Sequence, residues 1–245
     1  MNRGVLARVF LRSLWLQGLW TVQRGQNLGC LYSLWPVVDG LYDRPEDRAE
    51  VARTHAGFFS THPYTAGVVL GVVAGLETDR ARGNGPSGEA IAAARSAMAG
   101  PLAALGEAFF WSLWRPLSFL AAMALAWAHP GHPGRIVLSF LVIYNLLHLG
   151  ARWQGLRWGF RWRTDVVPRL APLRLQRVLT VAAAAGALAT LVLMIAAVAT
   201  GRASPGLLGA ALAAAALLRR GAPLGVLVAG SAAVALGWTF LGATL

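Results

Sequence analysis

Lysine is absent from all 245 residues, cysteine occurs once, and only 10 positions are acidic. One thiol closes no intramolecular disulfide, so a disulfide-stapled scaffold is excluded and Cys30 reads as a small apolar side chain. Charged residues amount to 13%, against about 25% in an ordinary soluble domain. That scarcity, with 56% hydrophobic residues and a mean hydropathy of +0.54, excludes disordered and collagen-like chains and points away from an aqueous globule.

All 22 basic residues are arginines, and the net charge is +12. They are unevenly placed: 1–35 carries four arginines and no acid, 36–100 six against eight acids, and 151–177 seven against Asp165 alone. So basic a chain is commonly a nucleic-acid binder. Here the arginines flank apolar runs, which suits a phospholipid surface with anionic headgroups, and no nucleic-acid partner is expected.

A bilayer span needs about 20 mostly apolar residues. Residues 178–199 and 222–245 meet that without a charge, whereas 117–128, 136–150 and 203–218 are apolar but short. The short, Gly- and Pro-interrupted segments read as broken or re-entrant helices, or as ordinary tilted spans with ragged ends. Val5, Leu6, Val9, Phe10 and Leu14 share one helical face, which predicts an amphipathic helix lying in the membrane interface. The fold class is an all-α integral membrane protein. It divides into an interfacial N-terminal region (1–76), a polar loop and lead-in (77–97), membrane-embedded helices (98–150), a basic cytoplasmic segment (151–177) and C-terminal transmembrane helices (178–245).

Residues 39–62 are the most soluble-looking stretch. Pro45 suits the first turn of a helix with Asp43, Glu46 and Asp47 at its positive end, Pro63 lies just past the end, and Glu50 and Arg53 pair at i,i+3. Gly83, Gly85 and Gly88 spell the dinucleotide fingerprint, but a charged run leads in where a buried strand is needed, so the match is dismissed. Trp153, Trp158 and Trp162 alternate with arginines as in an aromatic belt beside a cytoplasmic interface. That places 152–177 inside, 200–202 outside, Arg219 and Arg220 inside, and the C-terminus outside. Gly225, Ala229, Ala233 and Gly237 form a small-residue stripe suited to close helix packing.

Six blocks then stand in order: FLRS at 10–13, QNLGCLYSLWP at 26–36, HAGFFSTHPY at 55–64, GVVAGLE at 71–77, MAGPLAALGEAFFWSLWRP at 98–116 and YNLLHLGARWQGLRWGF at 144–160. Together they resemble the IID membrane component of the mannose/fructose/sorbose family of the bacterial phosphotransferase system. The resemblance implies a multi-pass subunit of the bacterial inner (cytoplasmic) membrane that forms the sugar-translocating unit with a IIC subunit. It implies that cytoplasmic IIA and IIB proteins carry the phosphohistidines, that this chain is neither phosphorylated nor catalytic and needs no cofactor, and that IIC–IID pairs oligomerise further. In place of the family's Gly-Pro-Leu-Ala-Gly-Ile/Val-Gly-Asp turn, residues 100–107 end in Ala104, Leu105, Gly106 and Glu107, and the external stretch that separates the last spans in the family shrinks to about 200–205. These departures support the alternative of a degenerate IID paralogue acting as a membrane scaffold or regulatory subunit.

A hexose crossing a bilayer needs hydrogen-bonding side chains at depth, because each desolvated hydroxyl left unpaired costs about 1–3 kcal/mol. Gln26, Asn27, Glu107, Asn145 and His148 are stranded among apolar neighbours and are the candidate substrate-binding residues. Arg115, eight residues beyond Glu107, is expected to balance its charge. Structural readings stand beside each: a Glu–Arg pair bracing a broken helix, Asn27 before Leu28 and Gly29 as a helix stop, and Asn145 with His148 bridging to another helix. His62, before Pro63, reads as a helix-end residue and not as a phosphoryl acceptor, and His129 and His132 as turn residues with no completing metal ligand.

Overall fold

A computed structural model describes residues 3–128 and 133–170, with single positions 181, 192, 195, 196 and 199. The chain divides into two compact units, Met1–Ala183 and Ala184–Leu245, and the first holds every helix with defined ends. Residues 203–218 and 222–245 lie outside the described residues, as do His129 and His132. So does 178–199 apart from those single positions.

The described residues are helical, with isolated bridges at Thr21, Gly25 and Phe59 in place of strands. In order they form α1 (Arg3–Ser13), α2 (Asn27–Leu41), α3 (Pro45–Thr54), α4 (Ala66–Ala81) and α5 (Gly88–Gly106). A π-helical stretch (Glu107–Trp114) leads into α6 (Arg115–Ala128); α7 (Pro133–Trp162), a 3-10 turn (Arg163–Asp165) and α8 (Val166–Leu170) follow. None of the described helices is long and apolar enough to cross a membrane.

α4 is the centre. Its residues from Ala66 to Thr78 are all buried, as its run of valine, leucine, alanine and glycine on every face requires. Gly67, Gly71 and Gly75 stand four apart and turn one bare backbone face toward α7. A Cβ at Gly71 would sit 2.2 Å from the Leu156 carbonyl oxygen, and one at Gly159 would sit 2.2 Å from the Val68 carbonyl oxygen. Only glycine lets two helix backbones meet so closely, the arrangement that small residues at spacing four provide in membrane helix pairs. Arg163 then lies across Gly75 and donates to both oxygens of Asp79, at 2.8 and 3.0 Å.

Several expectations are corrected. The polar loop starting at Glu77 shrinks to residues 82–87, because α4 runs on to Ala81 and Ser87 caps α5 by accepting from the Ala90 amide at 3.2 Å. Gly83, at φ +79°, ends α4 in a helix-to-helix turn. α3 starts at Pro45 as expected but stops at Thr54, so 55–65 is irregular, and Glu50 pairs with Arg80 at 2.6 Å and not with Arg53. The segment 98–116 is not broken: α5 continues through Pro101 into the π-helical stretch and α6, and Ala104 sits exposed on a regular helix. Residues 136–150 belong to a 30-residue helix, α7, whose second half takes up 151–162 of the supposed basic segment and packs on α4. The face of α1 assigned to the membrane turns inward instead, with Leu6 and Val9 in the core and Val5 and Phe10 packed on it; Leu14 alone is exposed. A helix wheel locates an apolar stripe but does not say whether protein or lipid covers it.

Candidate functional site

The irregular segment between α3 and α4 carries buried polar groups, and two networks hold it. In the first, Glu77 of α4 is 2% exposed and accepts from His55 Nε2 at 2.8 Å and from the Tyr42 hydroxyl at 2.7 Å. Burial alone would raise its carboxyl, but these hydrogen bonds and the nearby Arg80 charge hold it below the usual carboxylate range. Arg95 of α5, 1% exposed, donates to the His55 carbonyl at 2.8 Å and the Gly57 carbonyl at 3.2 Å.

The second network is aromatic. His62 stacks on Phe110 of the π-helical stretch (5.7 Å between centroids, 15°) and meets Trp111 and Tyr64 edge-on at 4.8 and 5.0 Å. Tyr64 stacks on His148 of α7 at 4.1 Å and 14°, and Tyr144 donates to the Tyr64 hydroxyl at 3.1 Å. Gly106 makes the assembly possible, since a Cβ there would strike the His62 ring at 2.3 Å. Arg152, 4% exposed, ties α7 to the rest by donating to the carbonyls of Ser13 (2.8 Å) and Pro63 (2.6 Å), with its guanidinium 5.7 Å over the Tyr64 ring.

Hydrogen bonds fix the proton positions. His62 Nδ1 accepts from the Tyr64 amide at 3.3 Å, so its proton sits on Nε2; His148 Nε2 donates to Asn145 Oδ1 at 2.7 Å, so its Nδ1 is bare. Among the described residues neither His62 Nε2 nor His148 Nδ1 has a partner, which leaves one buried donor and one buried acceptor on either side of Tyr64. Burial, reinforced by the positive charge of Arg152 and by His148, lowers His62 to about 4, so it is neutral at pH 7. Beside the cluster lies a cavity of about 420 Å³, lined mainly by apolar groups such as Phe109, Phe110, Leu147 and Trp158, with Tyr64 and Gln154 at its polar points. Hydroxyls placed there would go largely unpaired, so it suits an apolar group.

The sequence-named residues separate on this map. Asn145 and His148 come together and, through Tyr64, join the cluster. Gln26 does not: its amide is used up, donating to the Thr61 carbonyl at 2.8 Å and accepting from the Thr61 amide at 3.0 Å. Asn27 donates to the Gly57 carbonyl and begins α2, where a helix stop was expected. Both pin the irregular segment; Gln26 has both amide groups engaged, whereas Asn27 Oδ1 is buried without a partner among the described residues. Glu107 is exposed and has no side-chain partner among the described residues. It does not pair with Arg115, whose guanidinium lies 6.0 Å from the Trp111 ring centroid. Sequence reasoning passed over Tyr64, Tyr144 and Arg152. The last two had a signal: Tyr144, His148, Arg152 and Leu156 recur at spacing four and form one stripe of α7.

The comparisons with known proteins bear on this geometry. A family model described as the PTS system mannose/fructose/sorbose family IID component matches residues 1–204. The chain belongs to that family. It is 35% identical over 170 residues to the mannose-specific EIID component of Escherichia coli (strain K12), covering 68% of this chain and 58% of the relative. To the fructose permease IID component of Bacillus subtilis it is 30% identical over 177 residues, covering 72% and 63%. The chain thus spans less than two thirds of these relatives. Among solved structures it resembles one described as a membrane protein, with a TM-score of 0.68 at 32% identity over 80% of this chain and 70% of that one. It also resembles a chain of the mannose transporter ManYZ seen by cryo-EM with microcin E492, with a TM-score of 0.62 at 27% identity over 98% and 97%.

Proposed function

We propose that this IID-family chain is the membrane subunit of a phosphotransferase-type sugar permease, forming with a IIC subunit the translocation unit for a mannose-type hexose. The observation that carries this reading is its likeness along nearly its whole length to a chain of a mannose transporter. In this reading the chain sits in the bacterial cytoplasmic membrane, with 178–199 and 222–245 as spans and 152–177 on the cytoplasmic side. Phosphoryl transfer belongs to IIA and IIB partners, and IIC–IID pairs assemble into a larger oligomer.

Glu107 is the candidate to face the sugar or the IIC subunit, being exposed beside the His62 cluster with its carboxylate uncommitted. His148, with a bare Nδ1, is the second, and Asn145 orients it. The scaffold alternative loses one support, since Ala104 occupies an ordinary exposed helix position where no positive φ is needed. The test is to purify the tagged chain gently from its native membrane and identify what accompanies it. A IIC homologue in near-equal amount is expected. Recovery of the chain alone, or with unrelated signalling proteins, would move the scaffold reading ahead.

A further inference from the structure

Between α1 and α2 the chain does something a water-facing turn has no reason to do. Leu11 (59% exposed), Leu14, Trp15 (70%), Leu19, Trp20 and Val22 (76%) all present large apolar side chains outward within twelve positions. The turn is not loose. Leu16, 1% exposed, is driven into the core, and its carbonyl lies where a Cβ on Gly29 of α2 would be, at 2.0 Å. Thr21 and Gly25 exchange backbone hydrogen bonds at 3.0 and 2.7 Å, and the Gln26 amide donates to the Phe59 carbonyl, which fastens the far end. The apolar side chains are therefore held outward by the fold.

The charge around them is of one sign. Arg8, Arg12 and Arg24 flank the patch, and no acid occurs before Asp39. Arg12 lies against Tyr32, 4.8 Å from its ring, and donates to the Tyr32 carbonyl at 3.3 Å. Leucines for the acyl boundary, tryptophans for the headgroup level and arginines for phosphates are the composition of a membrane-interface anchor. With no acid before Asp39 to complement them, the arginines at its margin call for an anionic surface, as the lipid headgroups of a cytoplasmic leaflet provide.

We propose that residues 11–22 form a rigid anchor seated in the interface of an anionic bilayer, with Trp15 and Trp20 at headgroup depth and the flanking arginines on lipid phosphates. This replaces the inward-turned face of α1 as the lipid-contacting surface, and it rests on the membrane-subunit reading above.

The test uses the full chain reconstituted with its co-purifying partners into vesicles of phosphatidylcholine and phosphatidylglycerol. Single cysteines replace Trp15, Trp20 and, as a water-facing control, Arg44, and each is labelled with an environment-sensitive fluorophore. Native Cys30 can stay, because it is fully buried and burial raises its thiol to about 11, so it labels poorly. At Trp15→Cys and Trp20→Cys, emission is expected to lie to the blue of Arg44→Cys, with quenching by a headgroup-region lipid nitroxide several-fold stronger than by aqueous iodide. Replacing phosphatidylglycerol with phosphatidylcholine should reduce that ratio. Iodide quenching equal to the control at both positions overturns the anchor, and so does blue emission without nitroxide quenching, which would mean that protein covers the patch. Failure of the chain to incorporate into vesicles at all would instead count against the membrane-subunit reading.

Discussion

Replacing Gly71 with alanine puts the α4–α7 crossing under direct strain. The added Cβ would lie 2.2 Å from the Leu156 carbonyl oxygen and 2.7 Å from the Phe160 amide nitrogen, both on the backbone of α7. Neither neighbour is the end of a flexible side chain, so the helices must separate and loosen the valine packing on either side. Helix propensity favours alanine over glycine by about 1 kcal/mol, while overpacking a tight core costs about 1–3 kcal/mol and occasionally more. With backbone on both sides the upper end applies, and a net loss of about 2 kcal/mol is expected. For a chain of this size that corresponds to a melting temperature lower by about 4–8 °C. Gly150→Ala is the matched control, because Gly150 is an exposed position of α7 where an added Cβ meets nothing within 4 Å, and there alanine should leave the protein unchanged or slightly stabilised. Thermal unfolding of the two purified variants, followed by near-ultraviolet circular dichroism, decides the matter. Equal melting temperatures would refute the backbone-to-backbone crossing.

Other parts of the structure give further expectations. His62 is held neutral near 4 against about 6.5 in an unfolded chain. Its contribution is complete above about pH 6.5 and is lost as pH falls toward 4, by about 3 kcal/mol in all. A His62→Phe variant should keep the stacking but show a flatter fall in stability over that window, and an unchanged profile would count against the buried neutral imidazole. Arg95→Met should strand the His55 carbonyl at about 1–3 kcal/mol, while the Gly57 carbonyl keeps its bond from Asn27, lowering the melting temperature and exposing 55–65 to protease first. Uniform proteolysis would argue that the arginine does not pin that segment. Glu107→Gln should sharply reduce sugar uptake while leaving IIC association intact; uptake at the parental rate would remove Glu107 from the site.

Much of this protein was legible in one dimension. Scarce charge and apolar runs mark a membrane-associated helical chain, because desolvating charge is costly wherever it happens and composition alone reports it. Pro45 with Glu46 and Asp47 locates the start of α3, since capping and dipole effects act within one turn. The six ordered blocks point to the family without any coordinates. What burial does to each residue is decided only in three dimensions. The stripe of Val5, Leu6, Val9 and Phe10 is visible in the sequence, yet its occupant proves to be protein, while Trp15 and Trp20 face out because Leu16 fills the space at Gly29. Gln26 reads as a polar residue adrift until the fold sets Thr61 beside it, 35 residues away. The His62–Tyr64–His148 stack joins side chains separated by up to 86 positions, and it exists because the glycines of α4 let α7 approach closely enough to bring Arg152 and His148 against the irregular segment. Local chemistry decides helix ends and overall affinity for lipid. Which polar groups are spent on the fold and which are left for function depends on contacts made across the whole chain.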